Sequence, residues 1–261
     1  MDDFLHRELR ATGQRVHRLG IACNYGIDAA GLEHAFERGI NYVFWTQLRT
    51  GGLKNTVRAA LQRHRDRVVL ATGPSLAYFG GSVRRAAERT LKTFGIDRID
   101  VFQLFWLGRM SAWSNGTVEE LLKLKEEGKV RAIGISIHDR PRAGRLAEDS
   151  PLDLLMLRYN AAHPGAEREV FPHLKKRQPS VVAYTATSWR RLLKKPAGWD
   201  GPAMSAGDCY RFCLSSPHVD LVLCGAADRR QLDENLAALE KGPLSLEEAE
   251  WMRRYGQAVH G

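Results

Sequence analysis

The chain has 261 residues, 44% hydrophobic and 26% charged, a composition that can bury a sizeable core without disulfide or metal help. Its formal charge of +9 comes from 39 basic and 30 acidic residues. The basic clusters RHRDR (63–67) and LKKRQ (174–178) are dispersed between apolar segments, which excludes a nucleic-acid stripe and points to a small anionic partner.

Taken in order, short apolar runs alternate with amphipathic stretches. The strand expectations are RLGIAC (18–23), INYVFW (40–45), RVVLAT (67–72), DVFQLF (100–105), VRAIGIS (130–136), LDLLMLR (152–158), SVVAYT (180–185) and DLVLCG (220–225). These runs are apolar nearly throughout, as a parallel sheet covered on both faces requires. Between them AAGLEHAFERG, SVRRAAERTLKTFG and TVEELLKLKEEGK read as helices that end at or near a Gly suited to the left-handed cap. Eight repeats of strand and helix predict an α/β fold, a (β/α)8 TIM barrel, as a single domain over 1–261. An open doubly wound sheet would want a G-x-G-x-x-G turn after an early strand, and none is present. The segment 192–208 reads as a surface loop.

No run of about 18 apolar residues occurs, and MDDFLHRELRATGQR is too polar for a secretory signal, so no membrane partner is expected. Four cysteines without C-x-x-C spacing fit a reducing, cytoplasmic setting.

Several segments together resemble the aldo/keto reductase family from end to end. RELRATGQRVHRLGIACNYG (7–26) is similar to its opening hairpin and first strand, AFERGINYVFWT (35–46) to its second helix and strand, IDRIDVFQLFW (96–106) to its fourth strand, EEGKVRAIGIS (126–136) to its fifth, and CGAADRRQLDENLAALE (224–240) to its last strand and helix. The resemblance implies a barrel of the aldo/keto reductase type that transfers a hydride from NADP(H) to a carbonyl. In that reaction a Tyr protonates the carbonyl oxygen, adjusted by Lys, Asp and His.

The same resemblance puts Phe44 at the Asp position, Arg49 at the Tyr position, Gly73 at the Lys position and Phe105 at the His position. None of the four can supply a proton near neutral pH; an Arg stays charged, with a pKa above about 12. The implied function is an NADP(H)-binding relative that is not an ordinary carbonyl reductase, hence a pseudoenzyme or ligand-binding protein. The alternative is an NADP-dependent oxidoreductase, or a repurposed lyase or isomerase, using His138 or His163.

For the cofactor, the resemblance carries over Ser136 near the nicotinamide, with Ile137 and Met156 replacing the other two contacts. At the adenosine end it carries over Gln231, Glu234 and Asn235. One phosphate-contacting position has become Ala227, for which Arg229 or Arg230 is expected to compensate. Gly225 fits a close approach of backbone to phosphate, and the helix N-terminus beyond it is expected to favour an anion through unpaired N–H groups.

Function in such a barrel is expected on the loops after the strands. There the polar candidates are His138 and His163 as acid or base, and Arg158 or Arg140 as anchor for an anionic group, with Asn160 alongside. A metal site from His138, Asp139, His163 and Glu167 lacks the short spacing such sites show, and none is expected. Phe44, Trp45, Phe105, Trp106 and Trp113 serve either core packing or a hydrophobic pocket. The partner expected is therefore a small molecule, anionic or hydrophobic.

Overall fold

The computed structural model describes residues 3–46 and 50–260. The described chain opens with a hairpin, β1 (His6–Leu9) and β2 (Gln14–His17), paired antiparallel. Eight parallel strands follow: β3 (Leu19–Ala22), β4 (Tyr42–Phe44), β5 (Val69–Thr72), β6 (Ile99–Leu104), β7 (Val130–Ile137), β8 (Leu154–Arg158), β9 (Ser180–Tyr184) and β10 (Leu221–Cys224). They close into a barrel in chain order, with β10 returning to pair with β3. All eight expected strands are present, trimmed by a residue or two at some ends and extended to Ile99 at the start of β6 and to Ile137 at the end of β7.

Strand geometry sends alternate side chains inward and outward. Tyr42, Phe44, Val69, Ala71, Val101, Ala132, Leu154, Met156, Val182 and Leu221 fill the barrel interior. Ile21, Val43, Leu70, Phe102, Ile133 and Ile135 point out to the helices. The hairpin stoppers the N-terminal end: Leu9 and Val16 are fully buried in the interior cluster, and Ala11 N–H donates to the Ser180 hydroxyl at 3.0 Å.

A repeated device pins neighbouring strands at that end. Carboxylates just before or within a strand accept the backbone N–H of the preceding one: Asp100 from Leu70 (2.9 Å), Asp153 from Ile133 (2.9 Å) and Asp220 from Val181 (2.7 Å). Asp100 and Asp220 are fully buried and neutralised by Arg65 and by Arg7 and Arg10. A one-residue slip would break these bonds as well as invert the apolar faces.

The outer layer is α1 (Ala29–Glu37), α2 (Leu53–Arg63), α3 (Gly80–Phe94), α4 (Asn115–Glu126), α5 (Arg140–Asp149), α6 (Ala166–Glu169), α7 (Ala206–Ser215), α8 (Arg229–Leu239) and α9 (Leu246–His260). Caps set the starts: Asp28, Ser114, Asp139, Ser205 and Asp228 each accept a first-turn N–H. Gly95, at φ +65°, ends α3 in the left-handed conformation expected of it. Among the described residues no helix is long and apolar enough to cross a membrane.

Candidate functional site

Inward phase along β4, β5 and β6 brings Phe44, Gly73 and Phe105 to one sector of the C-terminal mouth. The rings of Phe44 and Phe105 meet edge to face, with centroids 5.5 Å apart at 67°. Gly73 lies beneath a neighbouring backbone: a Cβ there would stand 1.9 Å from the Gln103 carbonyl oxygen and 3.3 Å from Phe105 Cζ. Position 73 therefore holds no side chain without a shift of the β5–β6 pair. Below it Gln103 is fully buried, with Nε2 3.2 Å from Met156 Sδ, and its Oε1 has no partner among the described residues. Three of the four positions singled out from the sequence thus share one apolar wall. The fourth, Arg49, lies outside the described residues.

The opposite sector of the mouth is polar. Ser136 Oγ accepts Trp106 N–H at 2.7 Å and its carbonyl accepts Leu107 N–H at 2.8 Å, which ties the loop after β6 to β7 and holds Trp106 at φ +45°. Ser136 is thus partly committed to structure. One turn along the same inward phase stands His138, whose Nε2 is 3.0 Å from Tyr184 Oη and whose ring touches Trp106. Burial, then Arg158 and Arg109, hold the His138 imidazole below its usual range, while burial pushes the Tyr184 phenol up. A neutral imidazole thus meets a protonated phenol, and the tautomer of the ring sets which of the two donates.

Arg158 ends β8 opposite Tyr184 in the parallel register, with its guanidinium over the face of Trp189, 5.6 Å from the ring centroid. Trp189 belongs to a strained turn in which Ser188, Trp189 and Arg190 all have positive φ, between +50° and +69°. Arg140, the alternative anion anchor, instead pairs with Glu169 at 3.1 Å.

Asn160 and His163 have different surroundings from those expected. Asn160 is fully buried and donates to the Thr185 carbonyl at 2.8 Å, so it braces the exit of β8 against that of β9. His163 Nδ1 is 3.1 Å from Asn160 Oδ1 and its ring meets His260 of α9. Burial, followed by Arg158, His260 and other cations, pushes His163 down to about 4. Of the four sequence candidates, His138 and Arg158 gather at the mouth with Tyr184. Sequence reasoning passed over Tyr184 and Trp189; the period-2 phase of β9, which puts Tyr184 two residues after the inward Val182, was the available signal.

The adenosine-end residues also meet partners within the chain. Asp228 caps α8 by accepting Gln231 N–H at 2.8 Å, so the helix N-terminus expected to receive an anion already holds a carboxylate. Of the two arginines expected to compensate for Ala227, Arg230 pairs with Glu234 and Arg229 donates to the Ala30 carbonyl. Gln231 Oε1 accepts Ala227 N–H at 3.1 Å, and the buried Asn235 turns its amide toward Cys224 Sγ. Gly225 is approached by Tyr25, whose Cβ would lie 2.9 Å from a Cβ at that position. At this end of the mouth Asp228 thus occupies the α8 N-terminus and Tyr25 packs over Gly225.

A groove of about 940 Å³ lies at the other end of the molecule among His6, Arg15, His17, Glu37, Arg63 and Arg67. In this architecture that end serves stability. Among the described residues no three His, Cys, Asp or Glu side chains gather as a metal site requires.

A closed parallel (β/α)8 barrel plugged by an N-terminal hairpin thus carries His138, Arg158 and Tyr184 at its C-terminal mouth. A model of the aldo/keto reductase family matches residues 27–196, and the chain belongs to that family. It is 25% identical over 257 residues to the uncharacterized oxidoreductase YqkF of Bacillus subtilis (strain 168), covering 83% of each chain. A shorter stretch of 93 residues, 35% of this chain and 28% of the relative, is 30% identical to the NADH-specific methylglyoxal reductase of Escherichia coli (strain K12). Among solved structures, the holo form of aldo-keto reductase AKR11C1 from Bacillus halodurans superposes with a TM-score of 0.82 at 24% identity, covering 97% of this chain and 96% of that one. The glycerol dehydrogenase AKR11B4 from Gluconobacter oxydans gives 0.80 at 17% identity, covering 100% and 98%. At these identities the two structures speak for the fold alone.

Proposed function

We propose that this chain is an aldo/keto reductase family member in which the family's proton-donating tetrad no longer operates, so that it binds ligand at the mouth without ordinary carbonyl reduction. The observation that carries this reading is Gly73: the backbone of Gln103 closes the space from which a lysine would reach a neighbouring acid. Phe44 and Phe105 then make the same sector apolar. Losing positioned acid–base catalysis costs on the order of 10² to 10⁴ in rate. Dinucleotide binding is retained in this reading through the family positions Gln231, Glu234 and Asn235, with NAD(H) preferred over NADP(H) because of Asp228. Four free, buried thiols suit a reducing cytoplasm. A panel of aldehydes, ketones and quinones with NADH and NADPH tests the proposal; steady turnover at rates usual for enzymes would overturn it.

A second reading is favoured by the hydrogen bond between Tyr184 and His138. In it the pair replaces the tetrad as proton donor and acceptor, for an oxidoreductase or for a lyase or isomerase. Activity that is found in such a panel and abolished by both His138→Ala and Tyr184→Phe would select it over the first.

A further inference from the structure

Several arginines in this protein reach carboxylates, as Arg65 meets Asp100, Arg84 meets Glu120 and Glu127, Arg211 meets Glu248 and Arg253 meets Glu167, and others such as Arg18 are satisfied by backbone carbonyls. Arg158 meets none among the described residues, and its guanidinium rests on the Trp189 ring. The groups that bear on it electrostatically are Tyr184 first and then Arg140, which is itself paired with Glu169. A half-buried guanidinium with no carboxylate beside it lacks the counter-charge that proteins ordinarily supply.

The rim has a second peculiarity. Among the described residues eight large apolar side chains are exposed, and six of these, Tyr25, Leu76, Tyr78, Phe79, Trp106 and Trp189, sit in loops that follow the C-terminal ends of barrel strands. A soluble surface seldom gathers its exposed aromatics around one opening unless something docks there.

We propose that the barrel mouth binds an organic carboxylate with an aromatic or otherwise apolar body, its head group held by Arg158 and its body received by the rim of Trp106, Tyr184 and Trp189. The planar guanidinium matches a carboxylate in a two-pronged hydrogen-bonded pair, and stacking on Trp189 leaves its edge donors free for that purpose. His138 and Tyr184 then lie beside the ligand rather than beneath it. The inference rests on the reading above that the mouth takes the ligand. Binding itself requires neither nucleotide nor turnover.

Calorimetric titration of the nucleotide-free protein with benzoate and phenylacetate tests it, with benzamide as the uncharged body and inorganic phosphate as the charge without a body. The expected result is saturable binding of the aromatic carboxylates at or below about 1 mM, and at least about tenfold weaker binding of benzamide and of phosphate. Arg158→Gln should weaken benzoate by at least about tenfold, Arg158→Lys should recover part of the loss, and Trp189→Ala should weaken it too. Thermal melts of each variant check that the fold is kept. No benzoate binding up to about 10 mM, or equal affinity in Arg158→Gln and the parent, overturns the proposal. So does loss of NADH binding in Arg158→Gln together with displacement of benzoate by NADH, because Arg158 would then be a nucleotide phosphate anchor. Carbonyl turnover in the panel described above, with benzoate binding intact, would instead sink the tetrad reading and leave this one standing.

Discussion

The edge of one ring against the face of another, at 5.5 Å, joins Phe44 of β4 to Phe105 just beyond β6 across the mouth of the barrel. Phe44 is only 7% exposed, so the contact is part of the barrel interior as well as of the site wall. Phe44→Ala should destabilise the protein by about 3 kcal/mol or somewhat more through the cavity it leaves. A double-mutant cycle with Phe105→Ala should return a coupling of about 0.5–1.5 kcal/mol in urea unfolding. A coupling of zero would mean that the two rings do not act together.

At the other end, Asp220 holds Arg7, Arg10 and the Val181 N–H while fully buried. Asp220→Ala removes a strand-to-strand hydrogen bond and leaves two arginines of the hairpin region without their carboxylate. The expected loss is about 3 kcal/mol, in the range for breaking a buried pair by deleting one partner. Because the hairpin stoppers the barrel, faster amide exchange at Leu9 and Val16 should accompany it.

His17 couples stability to pH. It is 3% exposed, its Nδ1 accepts Leu19 N–H, and burial followed by His6 pushes it down to about 4. In the unfolded chain it titrates near 6.5, so between these values the unfolded state binds the extra proton. Stability is then whole above about pH 6.5 and falls as pH drops toward about 4, by at most about 3 kcal/mol. His163 shifts in the same direction, with a smaller share because it is half-exposed. Denaturation midpoints between about pH 4.5 and pH 7.5 should show this slope, and His17→Gln should flatten it. An unchanged slope would remove His17 from the account.

In the proposed dinucleotide reading, Asp228 sets a preference at the adenosine end. Its carboxylate caps α8 where a 2′-phosphate would meet like charge. NADH should bind more tightly than NADPH, and Asp228→Arg should reverse the order at the expense of about 1 kcal/mol of helix cap. Parallel calorimetric titrations with both nucleotides read this directly.

The eight strands and their parallel order were legible because each strand is an apolar run covered on both faces, a pattern that survives divergence elsewhere. The wall of Phe44, Gly73 and Phe105 was legible too, since a resemblance in chain order assigns positions without needing distances. What sequence left open are relationships across the barrel. Nothing in AAHPG shows that Asn160 points back to the Thr185 carbonyl, or that His163 meets His260 nearly a hundred residues later. Similarly, DRRQLDEN does not by itself show that the Asp228 side chain folds onto the start of its own helix. Arg140 and Arg158 looked equivalent; only the position of Glu169 separates a neutralised arginine from one left without a counter-charge.

The closeness of Gly73 to the Gln103 carbonyl also bears on descent. A lineage in which two strands settle against each other at a glycine cannot place a long basic side chain there through one substitution, because every larger residue meets backbone, which has no alternative rotamer. Reversal would need β5 and β6 to separate first, a change with no benefit until the remaining positions also changed. Once made, such a step works as a ratchet: selection is left to explore the rim of Arg158, His138 and Tyr184, and descendants of this chain should vary there while position 73 stays glycine.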